Sequence, residues 1–318
     1  MRKRLLSYVV CVFALVSTQL FAEDQKFAQH LQDVSVTIKA GFSEGSGVIV
    51  TREIEVADGK KETINFVLTA AHVVSGLRSD RAVIEDGKTR KIVEFKDAQI
   101  VKELVENGRR VGEMKMTAKV ISYSDAEHGE DIALLMIRKR NFIVTSAKFY
   151  LEGEMIVPIG TQLYHVGSLL GQAGSNSMTT GIVSQVGRVL DIGNGDGVVF
   201  DQTTVTAFPG SSGGGVWLKN KDGQDLYVGM LVRGAGETFN LTVPIRRMHK
   251  WAKENNFLWV LDATIDTPSL KNIKSFSVEP SNASFGNSGG SIGVVNKEFP
   301  FLIRRGDSGV TPSKALPK

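Results

Sequence analysis

Leu68-Thr69-Ala70-Ala71-His72-Val73-Val74 follows directly on an apolar run, Ile64 to Leu68, that reads as a β-strand. Working outward, Gly47-Val48-Ile49-Val50 opens a β-rich run that continues to Val56, and Asp58-Gly59 marks a tight turn between the two. Asp86-Gly87 sits between Ala82-Val83-Ile84 and Lys91-Ile92-Val93, and Asn107-Gly108 separates two more candidate strands. Such dipeptides tolerate the positive φ that two-residue hairpin turns need. Further runs at 132–137, 161–166, 181–186, 198–205, 216–218 and 226–232 extend the pattern. Short strands with regular turns predict an all-β barrel or sandwich. One helix is expected. Pro244 suits a first turn, and Ile245, Met248, Trp251 and Ala252 share a face as far as Asn255.

The two ends of the 318-residue chain differ from this pattern. Arg2, Lys3 and Arg4 precede an apolar run from Leu5 to Val16, and Leu20-Phe21-Ala22 leads into Glu23-Asp24. That order is that of an export signal, so residues 1–22 are expected to be removed. The run is too short for a membrane span of ~20 residues. Cleavage after Ala22 removes Cys11, the single cysteine, and three positive charges, which brings the net charge from +4 to +1. A disulfide or a cysteine-ligated zinc site then lacks its thiols, and no cofactor is expected. The pI near 9.0 implies neither nucleic acid nor an anionic membrane as partner, because those three charges belong to the signal. Residues 262–318 hold five of the eight prolines and nine serines without sustained periodicity. They predict a flexible tail, docked at most through Phe276, Phe299 or Phe301.

The chemistry lies in three short segments: the histidine block above, Asp131-Ile132-Ala133-Leu134-Leu135, and Phe208-Pro209-Gly210-Ser211-Ser212-Gly213-Gly214. A serine hydroxyl attacks a carbonyl at neutral pH only when an imidazole takes its proton and an acid orients that imidazole. It also needs donors for the developing oxyanion, commonly backbone N–H groups. The glycines around Ser212 allow the N–H groups of Gly210 and Ser212 to share one pocket, with Ser211 between them. Gly286-Asn287-Ser288-Gly289-Gly290 fits the same pattern and Gly306-Asp307-Ser308-Gly309 nearly does. Ser212 is preferred because strands are expected on both sides of it, whereas Ser288 and Ser308 lie in the tail.

The remaining polar candidates have plainer readings. His30, His128, His165 and His249 are expected at the surface or in structural roles. Glu127, His128, Glu130 and Asp131 suggest a metal cluster, which is set aside because adjacent residues of a short loop rarely converge. Asp125 competes with Asp131 as the acid, but only Asp131 immediately precedes an apolar strand. Arg188, Arg233, Arg246 and Arg247 read as solvated charges.

Taken together, the segments resemble a trypsin-like serine protease, and most closely an HtrA-type protease domain. Gly45-Ser46-Gly47-Val48-Ile49 is similar to that family's opening strand, Leu68 to Val73 to its histidine motif, and Asp131 to Leu135 to its acid motif. Thr179 to Ser184 with Gly187-Arg188, and Gln202-Thr203 ahead of Pro209 to Gly214, complete the likeness over about residues 35–257. The resemblance implies two six-stranded antiparallel β-barrels with a C-terminal helix packed behind. It implies His72 as general base, Asp131 as its orienting partner and Ser212 as nucleophile. By the family's spacing, the substrate pocket has Thr206 at its base, with walls from Leu231, Val232 and Arg233 and from Phe239 to Thr242. No acid stands at Thr206, so a small or medium apolar side chain is expected there rather than Lys or Arg. Asn is usual at the position of Ser211, no Ile-Val-Gly-Gly start is present, and the tail is shorter than a PDZ domain of ~90 residues. Zymogen activation and peptide sensing are therefore not expected.

These readings converge on a signal peptide over 1–22, a first barrel over 23–145, a second barrel with the helix over 146–261, and the tail. The expected activity is that of a secreted or periplasmic serine endopeptidase acting on protein or peptide substrates, in the degradation or quality control of exported proteins. A catalytically silent binding module of the same fold and an esterase are the competing readings. The oligomeric state is not indicated.

Overall fold

The computed structural model describes residues 24–278 except 86–87, 107–108, 152, 154, 192–196, 235–237 and 277. The expected signal, Cys11, Phe299, Phe301 and the decoy serines Ser288 and Ser308 lie outside the described residues.

The strands are β1 (Ser35–Ala40), β2 (Ser43–Ala57), β3 (Lys60–Thr69), β4 (Arg78–Glu85), β5 (Lys88–Phe95), β6 (Ala98–Glu106), β7 (Arg109–Ser124), β8 (Ile132–Ile137), β9 (Gln162–Leu169), β10 (Gly174–Asp191), β11 (Gly197–Thr203), β12 (Gly215–Lys219), β13 (Asp225–Gly234) and β14 (Asn240–Pro244). They close into two six-stranded barrels, ordered β1-β2-β3-β8-β7-β6 and β10-β11-β14-β13-β12-β9, with β4-β5 as a separate ribbon. This is the expected all-β architecture, antiparallel at every strand pair. The Asp58-Gly59 turn does what its chemistry allows. Asp58 (φ 45°) and Gly59 (φ 78°) join β2 to β3 between paired Ala57 and Lys60. Strands pair up to Glu85 and Lys88 on either side of Asp86-Gly87, and up to Glu106 and Arg109 around Asn107-Gly108.

Closing each sheet removes its edges and turns alternate side chains inward. The second barrel packs Leu163, Val183, Val205, Val216, Leu218 and Leu231 inside. A larger core fills the first barrel and runs through Phe149, Trp217 and Tyr227 to the helix α3 (Ile245–Glu254), where Met248, Trp251 and Ala252 are buried as their spacing predicts. The connection between barrels changes sides over two adjacent residues. Ala147 N–H bonds the carbonyl of Ile49 (3.0 Å), and the next carbonyl, of Lys148, accepts from Tyr227 (2.7 Å).

Three segments differ from the sequence expectation. Residues 24–33 form a helix, α1, that meets the second barrel through Phe27 on Tyr164 (4.7 Å) and His30 on Asp225 (3.1 Å). Arg52 of β2 is buried, and donates to the carbonyls of Trp259 (2.8 Å) and Val260 (2.6 Å) in the short helix α4 (Leu258–Leu261). The tail expected to be flexible from residue 262 is instead docked as far as 278. There α5 (Leu270–Ser275), capped by Ser269, buries Leu270 and Ile273; Phe276 meets Phe257 edge-on, and Tyr123 N–H bonds the carbonyl of Val278 (2.8 Å). The apolar triplet at 270, 273 and 276 has helical spacing, but it is embedded in a Pro- and Ser-rich composition that masks it. Among the described residues no helix is long and apolar enough to cross a membrane.

Candidate active site

The histidine is placed by the end of β3. Ala70 is extended (φ −71°, ψ 139°), and the chain then turns into one helical turn, α2 (Ala71–Val74). Val73 and Val74 face the core, which leaves the His72 side chain partly open at 36% exposure. The register Thr69↔Ala133 sets the start of β8 beside this turn, so Asp131, two residues before Ala133, arrives next to His72. Its carboxylate accepts from His72 Nδ1 (Oδ2 2.9 Å, Oδ1 3.1 Å) and from the His72 backbone N–H (3.1 Å). A ring nitrogen donating to a carboxylate carries the proton, which leaves Nε2 as the basic nitrogen.

Asp131 is 3% exposed and sits at φ 55°, a left-handed conformation uncommon outside glycine. The loop that imposes it is tied internally. Asp125 Oδ1 accepts the N–H groups of Glu127 (2.8 Å) and His128 (3.1 Å), the Asp125 carbonyl accepts from Asp131 N–H (3.2 Å), and Ser124 Oγ accepts from Glu130 N–H (2.8 Å). Burial opposes the charge on Asp125, but these backbone donors together hold its carboxyl below the usual range. Asp125 is thus the staple of the loop, and Asp131 is the acid that meets histidine. The cluster weighed as a metal site is dispersed: Asp131 faces His72, Glu130 faces Arg247, and His128 faces Asp125. Among the described residues no group of three or more His, Cys, Asp or Glu side chains could hold a metal ion.

Ser212 lies in the loop between β11 and β12, and the first barrel holds it. Ser46 N–H donates to the Ser212 carbonyl (2.7 Å), and Ser46 Oγ to the Gly210 carbonyl (2.7 Å) while accepting from Ser168 N–H (2.7 Å). At Gly45 a Cβ would meet the methyls of Val73 at 2.6 Å and the Ser212 carbonyl at 3.1 Å. Only glycine lets β2 pass between the histidine turn and the serine loop this closely. Ser212 Oγ forms no hydrogen bond among the described residues.

Gly210 adopts φ 94°, which its lack of Cβ permits. The carbonyls before the N–H groups of Gly210 and Ser212 are engaged: Pro209 O accepts from Leu170 N–H (2.7 Å) and Ser211 O from Gly214 N–H (3.0 Å). In a trans peptide the N–H points opposite its carbonyl, so both donors are turned away from these partners. Neither has an acceptor among the described residues. Ser211, counted in the same set from sequence, is a correction. Its N–H is spent on the carbonyl of Phe208 (2.9 Å) and its buried hydroxyl accepts from Phe208 N–H (3.1 Å).

The pocket residues divide. Thr206 is half-buried, its carbonyl held by Thr179 Oγ1 (3.0 Å). Leu231 and Val232 are both buried, Leu231 in the second barrel's core and Val232 in the larger cluster. A register shift between Leu231 and Arg233 breaks the alternation that would expose one of them. Leu231 therefore offers main chain, bonding Gly213 N–H (2.7 Å) and the Gly214 carbonyl (3.0 Å). Arg233 reaches the carbonyl of Ala126 (3.2 Å) in the acid loop. The expected walls at 231–233 are thus without the side chains of Leu231 and Val232, which point into the cores. Phe239 packs under Arg188 (5.4 Å).

One residue near the site was missed by sequence, and a histidine expected to be structural is so. Ser46 was read only as part of a strand, although a serine between two glycines is a signal of close backbone approach. His165 is fully buried in β9 and bonds the Gly215 carbonyl (2.9 Å) beside the serine loop. Burial lowers its pKa to about 4, so it is neutral near pH 7. His249 is also structural, bonding the Tyr150 carbonyl (2.9 Å).

A family model described as a trypsin-like peptidase domain matches residues 45–230. Over 183 residues the chain is 27% identical to a protein named serine protease Do-like HtrA from Lactobacillus helveticus, covering 58% of this chain and 34% of that one. The chain therefore spans about a third of that relative's length. Among solved structures, Deg5 shares 18% identity at a TM-score of 0.47, over 72% of this chain and 91% of its own. The inactive form of a serine-to-alanine mutant of Rv3671c from M. tuberculosis shares 16% at a TM-score of 0.48, over 71% and 89%.

Proposed function

The chain belongs to the trypsin-like peptidase family, and on that premise we propose that it is an exported serine endopeptidase using His72, Asp131 and Ser212. The observation that carries this reading is the double contact of Asp131 with His72, at Nδ1 and at the backbone N–H. It leaves one basic nitrogen, Nε2, on a ring that is open to a reacting group.

Ser212 Oγ attacks the scissile carbonyl carbon, and its proton passes to His72 Nε2. The electron pair displaced from the carbonyl becomes an oxyanion, which the N–H groups of Gly210 and Ser212 receive. Donors oriented before the reaction stabilise that charge without reorganisation. The C–N bond then breaks, the leaving amine takes the proton from Nε2, and an acyl-serine remains. Water repeats the sequence, giving its proton to Nε2, and the ester opens to release the acid and restore the Ser212 hydroxyl. Asp131 stabilises the imidazolium throughout and keeps its tautomer. No acid stands at the half-buried Thr206, the pocket base that the family's spacing implies, which suits an apolar side chain of modest size.

The test is labelling by a fluorophosphonate probe together with casein digestion. Both should be present in the native protein and absent in Ser212→Ala. Unchanged labelling in that variant would refute the nucleophile, and labelling without cleavage would point to ester hydrolysis. Export is tested by sequencing the N-terminus of protein recovered outside the cytoplasm, with Glu23 expected as its first residue.

A further inference from the structure

We propose that Arg247, on the C-terminal helix of the second barrel, is a positioning residue for Asp131, acting through Glu130. This rests on the reading of Asp131 as the acid of the triad. Sequence alone offers Arg247 as one of several solvated cations, yet its side chain is only 11% exposed. Nε donates to Glu130 Oε2 (2.7 Å), one terminal nitrogen reaches the Glu130 carbonyl (3.3 Å), and the other bonds the Val199 carbonyl (2.9 Å). The guanidinium also lies over the ring of Phe200 (5.1 Å). A planar fork with three acceptors and a ring beneath it has little freedom to move.

What the fork grips decides its role. The Glu130 carbonyl belongs to the peptide that enters Asp131, whose φ of 55° is maintained only while the surroundings over-determine it. On its other side, Asp131 N–H holds the Asp125 carbonyl (3.2 Å). Arg233 of β13 bonds the same loop at Ala126 (3.2 Å). The acid belongs to the first barrel and the nucleophile to the second. Arg247 is the tie from the second barrel that grips the peptide entering this acid, which the second barrel does not carry.

The neighbouring Arg246 supplies the control. It forks onto Asp201 (2.7 and 2.6 Å) within the second barrel and forms no hydrogen bond with the acid loop among the described residues. Arg247→Ala, Arg246→Ala and Glu130→Gln are compared by kcat and KM on one peptide substrate, by the rate of fluorophosphonate labelling and by melting temperature. Arg247→Ala should lower kcat and the labelling rate about tenfold to a hundredfold, the scale of a misplaced catalytic group, with KM within twofold. Added guanidinium ion should restore part of the loss. The low-field proton resonance of His72 Nδ1–H should broaden or vanish. Arg246→Ala should melt earlier with kcat unchanged. Glu130→Gln keeps the backbone contact and should lose less than Arg247→Ala, and it tests the clamp if Arg247→Ala does not fold. Equal kcat in Arg247→Ala and Arg246→Ala, or in Glu130→Gln and the native protein when Arg247→Ala is unfolded, would overturn the clamp. An inactive native protein would instead overturn the protease reading itself.

Discussion

Ser46 and Gly210 are joined across the two barrels by a hydrogen bond of 2.7 Å from the serine hydroxyl to the glycine carbonyl. The same hydroxyl accepts from Ser168 N–H, so it has no freedom to rotate away. The bond fixes the peptide between Gly210 and Ser211, which joins the two donor-bearing peptides and whose own N–H is held by the Phe208 carbonyl.

Ser46→Ala should therefore weaken catalysis as well as folding. The carbonyl of Gly210 and the N–H of Ser168 both lose a partner, which costs about 1–3 kcal/mol of stability. With the loop less constrained, kcat should fall about tenfold while KM changes little. Steady-state kinetics beside urea unfolding separate the two effects, and an unchanged kcat would remove Ser46 from the catalytic apparatus.

Acid should destabilise the fold through His165. Its folded pKa, about 4, lies below the 6.5 of the unfolded chain, so between these values the unfolded state binds the proton and the folded state does not. Stability from this group is intact above pH 6.5, declines as pH falls, and levels off below about 4, a total on the order of 3 kcal/mol. Urea midpoints at pH 7, 5.5 and 4.5 should fall in the native protein and fall less steeply in His165→Gln. Identical slopes would contradict the assignment.

Arg52 tests how much a buried cation on a helix end contributes. Arg52→Met keeps much of the apolar volume and removes the charged donors to the carbonyls of Trp259 and Val260. Burial lowers the pKa of this guanidinium, a sign that its desolvation is not fully repaid by nearby acids. The expected loss is about 2–4 kcal/mol, since hydrogen bonds from charged donors are worth ~1.5–3 kcal/mol each and some burial cost is recovered. A melting temperature within two degrees of native would show that the helix end needs no cation.

The docked segment after residue 262 predicts a difference between two truncations. Ending the chain after Leu261 deletes Leu270, Ile273 and Phe276 and should cost roughly 3–6 kcal/mol in lost apolar burial. Ending it after Val278 keeps those contacts and should leave stability and labelling by the probe unchanged. Ser288→Ala should likewise retain full turnover, and loss of activity there would move the nucleophile away from Ser212.

Much of the barrel architecture was legible because β-strand signals are local. Alternation, β-branched runs and turn dipeptides such as Asp58-Gly59 act within a few residues, and two-residue hairpins set their own register. The candidate site was legible for a related reason: glycine-flanked serine and strand-flanked histidine and aspartate are short patterns with few other uses. Arg247 and Arg233 were not legible. A surface arginine and a clamping arginine have the same sequence neighbourhood, and their partners lie 117 and 107 residues away.

The sequence by itself determined where many of the strands and turns fall and which residue types could perform acyl transfer. Tertiary structure alone decided that the Ser211 N–H is turned to Phe208, that Leu231 faces inward, and that residues 262–278 belong to the folded body. The reason is physical. Hydrogen-bond partners, burial and backbone strain depend on which segments closure of two barrels brings together, and that closure is a property of the whole chain rather than of any stretch of it.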